Sequence, residues 1–179
     1  MGTNNGHRGR TRCLIGTAVL AGWLGLCSLP AVAVPIAEDP RGYEGIPWSA
    51  AFKESADFAV VESSPRIIGY ELTHPPTLGP VPVDSMRFLT IDKKFARVVV
   101  KYQGTSVHRQ ILAYLEKTYG PLDRTPGQLS VGALVLHNWR GPETEINLTF
   151  DAKRERGTIF FESRALAPTF QDAVSDTTN

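Results

Sequence analysis

Cysteine is scarce in this chain of 179 residues, which contains two, Cys13 and Cys27. Both precede residue 30, so the rest of the sequence has no thiol. Disulfides, thiolate catalysis and cysteine-ligated zinc or iron–sulfur sites are therefore excluded beyond that point. A domain without such cross-links has to be held together by its hydrophobic core.

Charge is absent from the run CLIGTAVLAGWLGLCSL, which extends from Cys13 to Leu29. The run follows a start with three arginines and no acid, and the small residues Ala31-Val32-Ala33 follow it. This order is typical of a signal peptide and predicts a cut after Ala33, hence a periplasmic or secreted protein. The run has 17 residues, somewhat fewer than the about 20 of a membrane-spanning helix. A retained membrane anchor is therefore the alternative, and no stable membrane insertion is expected after cleavage.

The predicted organisation follows from this cut. Residues 1–33 are the signal peptide, and a flexible, proline-containing lead occupies 34–42. A single domain extends over 43–175, and a frayed tail over 176–179. Tyr43, Ile46 and Trp48 are expected to hold the start of the domain to its body by aromatic burial.

An excess of positive charge is also lacking once the signal peptide is removed. The cut takes away three of the 19 Lys and Arg and none of the 18 Asp and Glu, so the formal charge changes from +1 to −2. Neither a net positive field nor a basic stripe interleaved with aromatics remains. Nucleic acid is therefore excluded as an expected partner.

Short catalytic and cofactor motifs such as Gly-x-Gly-x-x-Gly, Gly-x-Ser-x-Gly and His-Glu-x-x-His do not occur in the sequence. His74, His108 and His137 are far apart and lack the spacing of a metal pair on a helix. Ser106 and His108 lie two residues apart in a predicted helix and would point in different directions. Ser106 or Thr105 is predicted to cap that helix, and His108 to be exposed. The sequence therefore assigns no catalytic residue, cofactor or metal.

The sequence does contain a regular series of strand patterns. FAVVESS and RIIGYELT predict one hairpin, and VDSMRFLTID and FARVVVKYQ predict a second around Lys93-Lys94. Ala96, Val98, Val100 and Tyr102 are expected on one face of the latter. ALVLHNWR, TEINLTFDA and GTIFFESR predict three more strands, whereas the proline-rich HPPTLGPVP predicts a loop.

Helical spacing begins after Gly104 and ends at Gly120-Pro121. The apolar stripe consists of Val107, Ile111, Leu112, Leu115 and Tyr119. Leu166, Phe170 and Val174 predict a short C-terminal helix. The expected fold is α+β, an antiparallel sheet of several hairpins packed by one main amphipathic helix, with a short C-terminal helix.

The densest set of reactive side chains lies in LVLHNWRGPETEINLTFD, residues 134–151. If this stretch is a hairpin, His137 and Trp139 share a face. A two- or four-residue loop places Trp139 over Ile146 and Leu148, whereas a three-residue loop places Leu134 and Leu136 there. The favoured interpretation is that Trp139 packs in the core or against the helix, and that His137 is partly buried and hydrogen-bonded.

Two catalytic alternatives use the same hairpin. His137 with Glu145 or Asp151 would make the protein an uncharacterised envelope hydrolase. Glu143 and Glu145 would lie about 6.5 to 7 Å apart along a strand, at the lower edge of the about 6.5 to 9.5 Å found in inverting glycosidases. Acids beside a turn are normally solvated, and nothing local would raise the pKa of one of them, so a structural interpretation is favoured.

Several short segments carry a resemblance. GYEGIPW, the stretch Pro82 to Ser85, KTYGPL, NWRG and SRAL, in this order after a signal peptide, resemble small exported proteins of unknown function from Gram-negative, deltaproteobacterial-type genomes. The resemblance covers nearly all of the chain after the signal peptide, but its residues belong to turns and packing and imply no catalytic role. This chain has Ser49 after Trp48, where the resemblance leads us to expect glycine.

These patterns favour an exported periplasmic protein that binds or supports another envelope component without catalysis. The envelope hydrolase and the membrane-tethered domain are the alternatives. A periplasmic or envelope protein is the expected kind of partner.

Overall fold

The computed structural model describes residues 1–2, 34–122 and 128–170, with the backbone alone at 128–131. One long helix, α1 (Thr105–Tyr119), lies among these residues, together with thirteen strands. The strands are β1 (Val34–Pro35), β2 (Gly42–Tyr43), β3 (Ile46–Pro47), β4 (Phe58–Ser63), β5 (Ile67–Leu72), β6 (Thr77–Leu78), β7 (Val81–Pro82), β8 (Ser85–Ile91), β9 (Lys94–Gln103), β10 (Gln128–Val131), β11 (Leu134–Arg140), β12 (Thr144–Asp151) and β13 (Arg156–Ser163).

Nine of these strands form one sheet, in the order β1-β11-β12-β13-β9-β8-β5-β4, with β10 also paired to β11. β1 runs parallel to β11, and the other pairs are antiparallel. The predicted α+β class with an antiparallel sheet is confirmed. The expectation of several hairpins packed by a helix is wrong, because β13 pairs with β9 and merges the hairpins into one sheet. These two strands are separated in sequence by α1, so neither strand's own pattern reveals the pairing.

The hairpin of β8 and β9 turns at Asp92 and Lys93, whose φ angles are 49° and 65°. Left-handed residues at both central positions give the twist that two-residue hairpins favour. The predicted hairpin is therefore confirmed, with its turn one residue earlier than the predicted Lys93-Lys94. Glycine is the usual residue for such a turn, so the two charged residues adopt this conformation at some cost in backbone strain.

A β-bulge interrupts the pairing of β8 with β9 near the start of β9. Beyond the bulge, Val98, Val100 and Tyr102 are fully buried in the main core, as predicted. Ala96 instead packs in a smaller apolar cluster with Phe170. The prediction that all four residues share one face is wrong for Ala96, because the bulge changes the alternation of side chains at that point.

The helix α1 follows Gly104 and precedes Gly120, as its spacing predicts. Its buried residues are His108, Ile111 and Leu115. Among the described residues no side chain caps its first turn, so the predicted cap by Thr105 or Ser106 is wrong. Thr105 instead donates a hydrogen bond from Oγ1 to Oε1 of Glu155, 3.1 Å away.

The two faces of the sheet differ, and they are called inner and outer below. The inner face packs against α1 and forms the main core, with Val100, Ile146 and Leu148 fully buried. The outer face carries the alternate residues of the same strands, such as Val99 and Asn147, which are half-buried. Strand periodicity sends successive side chains to opposite faces, so each central strand contributes to both.

Residues 34–42 differ from the flexible lead that was predicted for them. Val34 and Ile36 are buried, and Val34 lies opposite Trp139 in the parallel pair of β1 with β11. Trp48 and Tyr43 are also buried, as predicted for aromatic residues that hold this part of the chain to the core. Backbone pairing and apolar burial thus fix the segment, which its prolines and charges alone did not indicate.

Two short ladders lie outside the large sheet. β2 pairs with β3, and β6 pairs with β7 inside the proline-rich stretch that was predicted to be a loop. Leu78 and Val81 of that ladder are buried. Ser49, where the resemblance leads us to expect glycine, has a φ of 66°, in the left-handed region that favours glycine.

The C-terminal part is described as far as residue 170. Residues 167–170 are helical, and Phe170 is buried against the outer face near Ile67 and Ile91. The predicted signal peptide beyond its first two residues, the rest of the C-terminal helix and the predicted tail lie outside the described residues. No helix in the described ranges has the length and apolar character needed to cross a membrane.

Candidate functional site

The register of β11 with β12 decides between the two turns considered for residues 134–151. Trp139 lies opposite Ile146, and Arg140 lies opposite Glu145. This is the arrangement expected of an even-numbered loop, and it places Trp139 on the inner face. Trp139 is fully buried, and its Nε1 donates a hydrogen bond to the carbonyl oxygen of Gly120 at 3.0 Å. The prediction that Trp139 packs in the core or against the helix is confirmed.

His137 lies on the same inner face, opposite Leu148. Its side chain is 4% exposed, and its Nδ1 has no hydrogen-bond partner among the described residues. The prediction of a hydrogen-bonded histidine is therefore wrong for this nitrogen. Burial, together with the nearby His108, lowers the pKa of His137 to about 4. The ring is consequently neutral at pH 7.

His108 is buried as well, which contradicts the predicted exposed position in the first turn of α1. Its ring stacks on Phe150 with centroids 3.9 Å apart. Its Nδ1 lies 2.8 Å from the hydroxyl of Tyr102. Burial lowers the pKa of His108. The prediction was wrong because His108 lies on the side of α1 that packs against the sheet, which its polar character did not indicate.

These residues form one group, the inner-face histidine cluster, which consists of Tyr102, His108, His137, Trp139 and Phe150. The rings of His108 and His137 have centroids 6.2 Å apart, and those of His137 and Trp139 are 6.3 Å apart. Each side chain except that of Phe150 contains a polar atom within an otherwise aromatic environment. The cluster lies beneath α1 and inside the core, so its stacked rings contribute to packing.

The acids of the proposed hydrolase lie on the other face of the sheet. Glu145 and Asp151 alternate with the buried residues of β12 and point outward. His137 points inward. The sheet itself therefore separates His137 from both carboxylates, and this geometry does not bring the three side chains together.

Glu143 and Glu145 also differ in position. Glu143 precedes β12, in the turn, and its backbone N–H donates to Oδ2 of Asp39 at 2.6 Å. Glu145 accepts from Nδ2 of Asn138 at 2.9 Å and pairs with Arg140 at 3.5 Å. Arg41 pairs with Glu143 at 3.8 Å. The two acids thus have separate partners.

Ser106, the other sequence candidate near a histidine, is exposed on α1, whereas His108 is buried below it. His74 is exposed in the stretch that precedes β6. Within the described ranges no group of three or more His, Cys, Asp and Glu side chains is placed to hold a metal ion.

A polar network on the outer face was not anticipated as a unit. It crosses four strands and consists of Arg140, Asn138, Glu145, Asn147, Glu162 and Arg97. We call it the outer-face network. Its sequence signal is the alternation of polar residues in β12, which predicted a solvated face, but the partners on β9 and β13 follow from the sheet order alone.

Hydrogen bonds and ion pairs connect the members of the outer-face network. Asn138 donates from Nδ2 to Glu145 and to Oδ1 of Asn147. Asn147 in turn donates to Oε1 of Glu162 at 3.2 Å, and Glu162 pairs with Arg97 at 2.7 Å. The side chains of Glu162 and Arg97 are 12% and 21% exposed, so this pair is only partly screened by water.

A second arrangement missed by the sequence holds the N-terminal segment to the β11–β12 turn. The Asp39 carboxylate accepts from the backbone N–H groups of Arg41, Glu143 and Thr144 and from the hydroxyl of Thr144. Trp48 Nε1 also donates to that hydroxyl, at 2.9 Å. Partial burial raises the pKa of Asp39, but these hydrogen bonds outweigh it, so the pKa lies below its usual value.

No family model, curated protein or solved structure matches this chain.

Proposed function

We propose that this chain is a periplasmic, non-catalytic binding module that recognises another envelope component through the outer face of its sheet. The observation that carries the proposal is the outer-face network. Its side chains are held by one another in fixed positions across four strands, and such preorganised groups lose little conformational freedom when a partner binds.

The composition of the outer face also fits a binding surface. Phe160 and Val99 lie opposite each other on β13 and β9, and both are half-buried. The neighbouring pairs Asn147–Phe160 and Val99–Arg87 place polar groups on both sides of this apolar centre. An apolar centre within a polar rim is the usual anatomy of a recognition surface.

The position of β1 supports the exported location. The predicted cut after Ala33 falls directly before Val34, the residue at which β1 begins. Cleavage there would leave the whole of the described sheet in the mature protein. N-terminal sequencing of the protein recovered from the periplasm tests this, with Val34 expected as the first residue. An intact N-terminus on a membrane-bound protein would support the tethered alternative instead.

The binding surface is tested by placing a bulky cation on it. Thr149 is half-buried on the outer face between Leu136 and Thr158, and Thr149→Arg should abolish recovery of the partner by cross-linking in the periplasm. The matched control is Gln110→Arg, which introduces the same residue at an exposed position of α1, on the opposite side of the sheet. The control should leave cross-linking unchanged.

Two results would refute the proposal. One is that Thr149→Arg, with an unchanged circular dichroism spectrum, keeps every cross-linked partner of the unsubstituted protein. The other is turnover of an envelope substrate by the purified protein, which would favour the hydrolase alternative.

A further inference from the structure

A shallow groove of about 370 Å³ lies at the end of the outer face where β8, β9 and β13 run side by side. Its polar lining consists of Asp84, Ser85, Lys101, Gln103, Arg156 and Thr158. We call it the Lys101–Arg156 groove. Its residues come from paired positions: Lys101 lies opposite Ser85 on one side and Thr158 on the other.

Lys101 and Arg156 stand out among the charged residues of the outer face. Four ion pairs neutralise other charges on this face and at its border: Arg87–Glu71, Arg97–Glu162, Arg140–Glu145 and Arg154–Asp151. Neither Lys101 nor Arg156 forms an ion pair with any described residue, and both are exposed. The groove thus holds two cations without a paired acid.

The pairing of the strands brings these two cations near each other. Arg156 lies opposite Gln103, two positions along from Lys101, so the two are diagonal neighbours on one face. Diagonal neighbours are separated by about 7 to 8 Å, within reach of long side chains. Like charges in this relation repel each other, and an anion between them would relieve the repulsion.

The other lining groups suit an oxyanion. The hydroxyls of Ser85 and Thr158 and the amide of Gln103 are neutral donors. Asp84 is the carboxylate of the groove, and its backbone N–H is bonded to the carbonyl oxygen of Lys101 at 2.9 Å. Two cations against one carboxylate leave a net positive charge in the groove lining. Asp151, which lies opposite Arg156 on β12, is paired with Arg154 at 2.9 Å.

We infer that the Lys101–Arg156 groove binds a phosphate group. A guanidinium fork and an ammonium group both bind phosphate, and its tetrahedral oxygens can accept from donors on three neighbouring strands at once. This inference rests on the proposed function, because it names the chemistry that the outer face would recognise. The phosphate belongs either to a lipid headgroup or to a soluble phosphorylated compound.

Titration of the ¹⁵N-labelled exported protein with inorganic phosphate at constant ionic strength tests the inference. Saturable amide shifts confined to Ser85, Lys101, Gln103 and residues 156–158 are expected. The double variant Lys101→Gln, Arg156→Gln should weaken phosphate binding at least about tenfold, because two charge-assisted contacts are lost. Lys93→Gln, Lys94→Gln removes two exposed cations at the other end of β9 and should leave the affinity unchanged.

A second measurement identifies the source of the phosphate. Co-sedimentation with phosphatidylglycerol vesicles, but not with phosphatidylcholine vesicles, and its loss in the Lys101/Arg156 variant, would assign the groove to lipid headgroups. Phosphate binding without vesicle binding would assign it to a soluble compound.

Shifts that do not saturate, or an affinity that survives in the Lys101/Arg156 variant, would overturn the inference. The proposed function fails separately. If partner cross-linking remains sensitive to Thr149→Arg while phosphate does not bind, the outer face is still the binding surface, and the phosphate assignment alone is lost. If phosphate binds but partner cross-linking is insensitive to Thr149→Arg, the phosphate site is supported and the proposed partner-binding surface is lost.

Discussion

Asn138 and Trp139 are neighbours in β11, yet they belong to two very different environments. Trp139 lies on the inner face, fully buried, with its ring centroid 6.3 Å from that of His137. Asn138 lies on the outer face and donates to Glu145 and Asn147. The inner face has few polar atoms and few hydrogen bonds between side chains, so its stability depends on packing. The outer face keeps its polar atoms within reach of water and depends on mutual hydrogen bonds.

This difference indicates that the same strands contribute to stability through their inner face and to the proposed recognition through their outer face. Packing defects on the inner face leave cavities that the core cannot fill, so substitutions there should be costly. Substitutions on the outer face exchange protein contacts for water, so they should change the surface more than the stability. The four experiments below test this contrast, beginning with the largest expected effect.

Trp139→Ala should lower the free energy of unfolding by about 3 to 5 kcal/mol, because it leaves a large cavity under α1. It also removes the partner of the Gly120 carbonyl oxygen. Urea unfolding followed by circular dichroism measures the change. The adjacent Asn138→Ala serves as the comparison and should cost no more than about 1.5 kcal/mol. Equal losses for the two variants would remove the contrast between the faces.

The inner-face histidine cluster should make the fold sensitive to acid. The pKa of His137 is lowered to about 4, against about 6.5 in the unfolded chain. The unfolded chain therefore binds the proton first, and stability that is present above pH 6.5 is lost as pH falls toward 4. A difference of this size corresponds to about 3 kcal/mol.

The measurement is the free energy of unfolding between pH 7 and pH 4 for the unsubstituted chain and for His137→Leu. The variant should lose most of the pH dependence in this window, with a smaller part remaining from His108, whose pKa is also lowered by burial. His74→Gln, at an exposed position, is the matched control. An unchanged slope in His137→Leu would show that another group is responsible.

Asp39→Ala should lower the free energy of unfolding by about 1 to 3 kcal/mol, since it leaves the Thr144 N–H and hydroxyl without their acceptor. Thr144 is fully buried, which limits replacement of the carboxylate by water. Hydrogen exchange at the amides of Glu143 and Thr144 should increase together with that of Ile36, whose N–H donates to the carbonyl oxygen of Arg140 at 3.2 Å. Asp57→Ala, at an exposed site, provides the comparison. Faster exchange at Ile36 in both variants would mean that Asp39 does not hold the segment.

The smallest effect is expected for the Arg97–Glu162 pair. A double-mutant cycle with Arg97→Met and Glu162→Gln should give a coupling energy of about 1 kcal/mol, because the pair is partly exposed. Addition of 1 M salt should reduce it. Arg97 also lies 4.2 Å from the centroid of the Phe170 ring, and Met keeps much of that apolar contact. A coupling energy as large as the loss in Trp139→Ala would mean that the two faces contribute equally to the free energy of unfolding.

The elements of the fold were largely predictable, but their assembly was not. α1 was predicted with its bounds, because apolar residues at helical spacing and the flanking glycines report local preferences. The β8–β9 hairpin and the alternation of β12 were also predicted correctly, although the hairpin turn lies one residue earlier than predicted. The pairing of β13 with β9 and of β1 with β11 was missed, since it depends on contacts between segments that are distant in the chain.

The candidate site shows the same division. Burial of Trp139 was expected because a tryptophan on the apolar side of a hairpin normally packs. His108 was misplaced, since a histidine in a first helical turn looks solvent-exposed until the packing of α1 against Phe150 is known. The Lys101–Arg156 groove could not be predicted as a unit from the sequence, because its two cations lie on different strands and meet through the register of β9 with β13.

The sequence by itself determined the alternation of the strands, the limits of α1 and the absence of thiols after residue 30, and it predicts an export signal with a cut after Ala33. These properties depend on residues close together in the chain. The tertiary structure alone decided which strands are neighbours, and hence that His137 is separated from Glu145 and Asp151 by the sheet. It also decided that Arg97, Asn147 and Glu162 meet. Side chains on separate strands acquire neighbours only when the strand order and register are fixed.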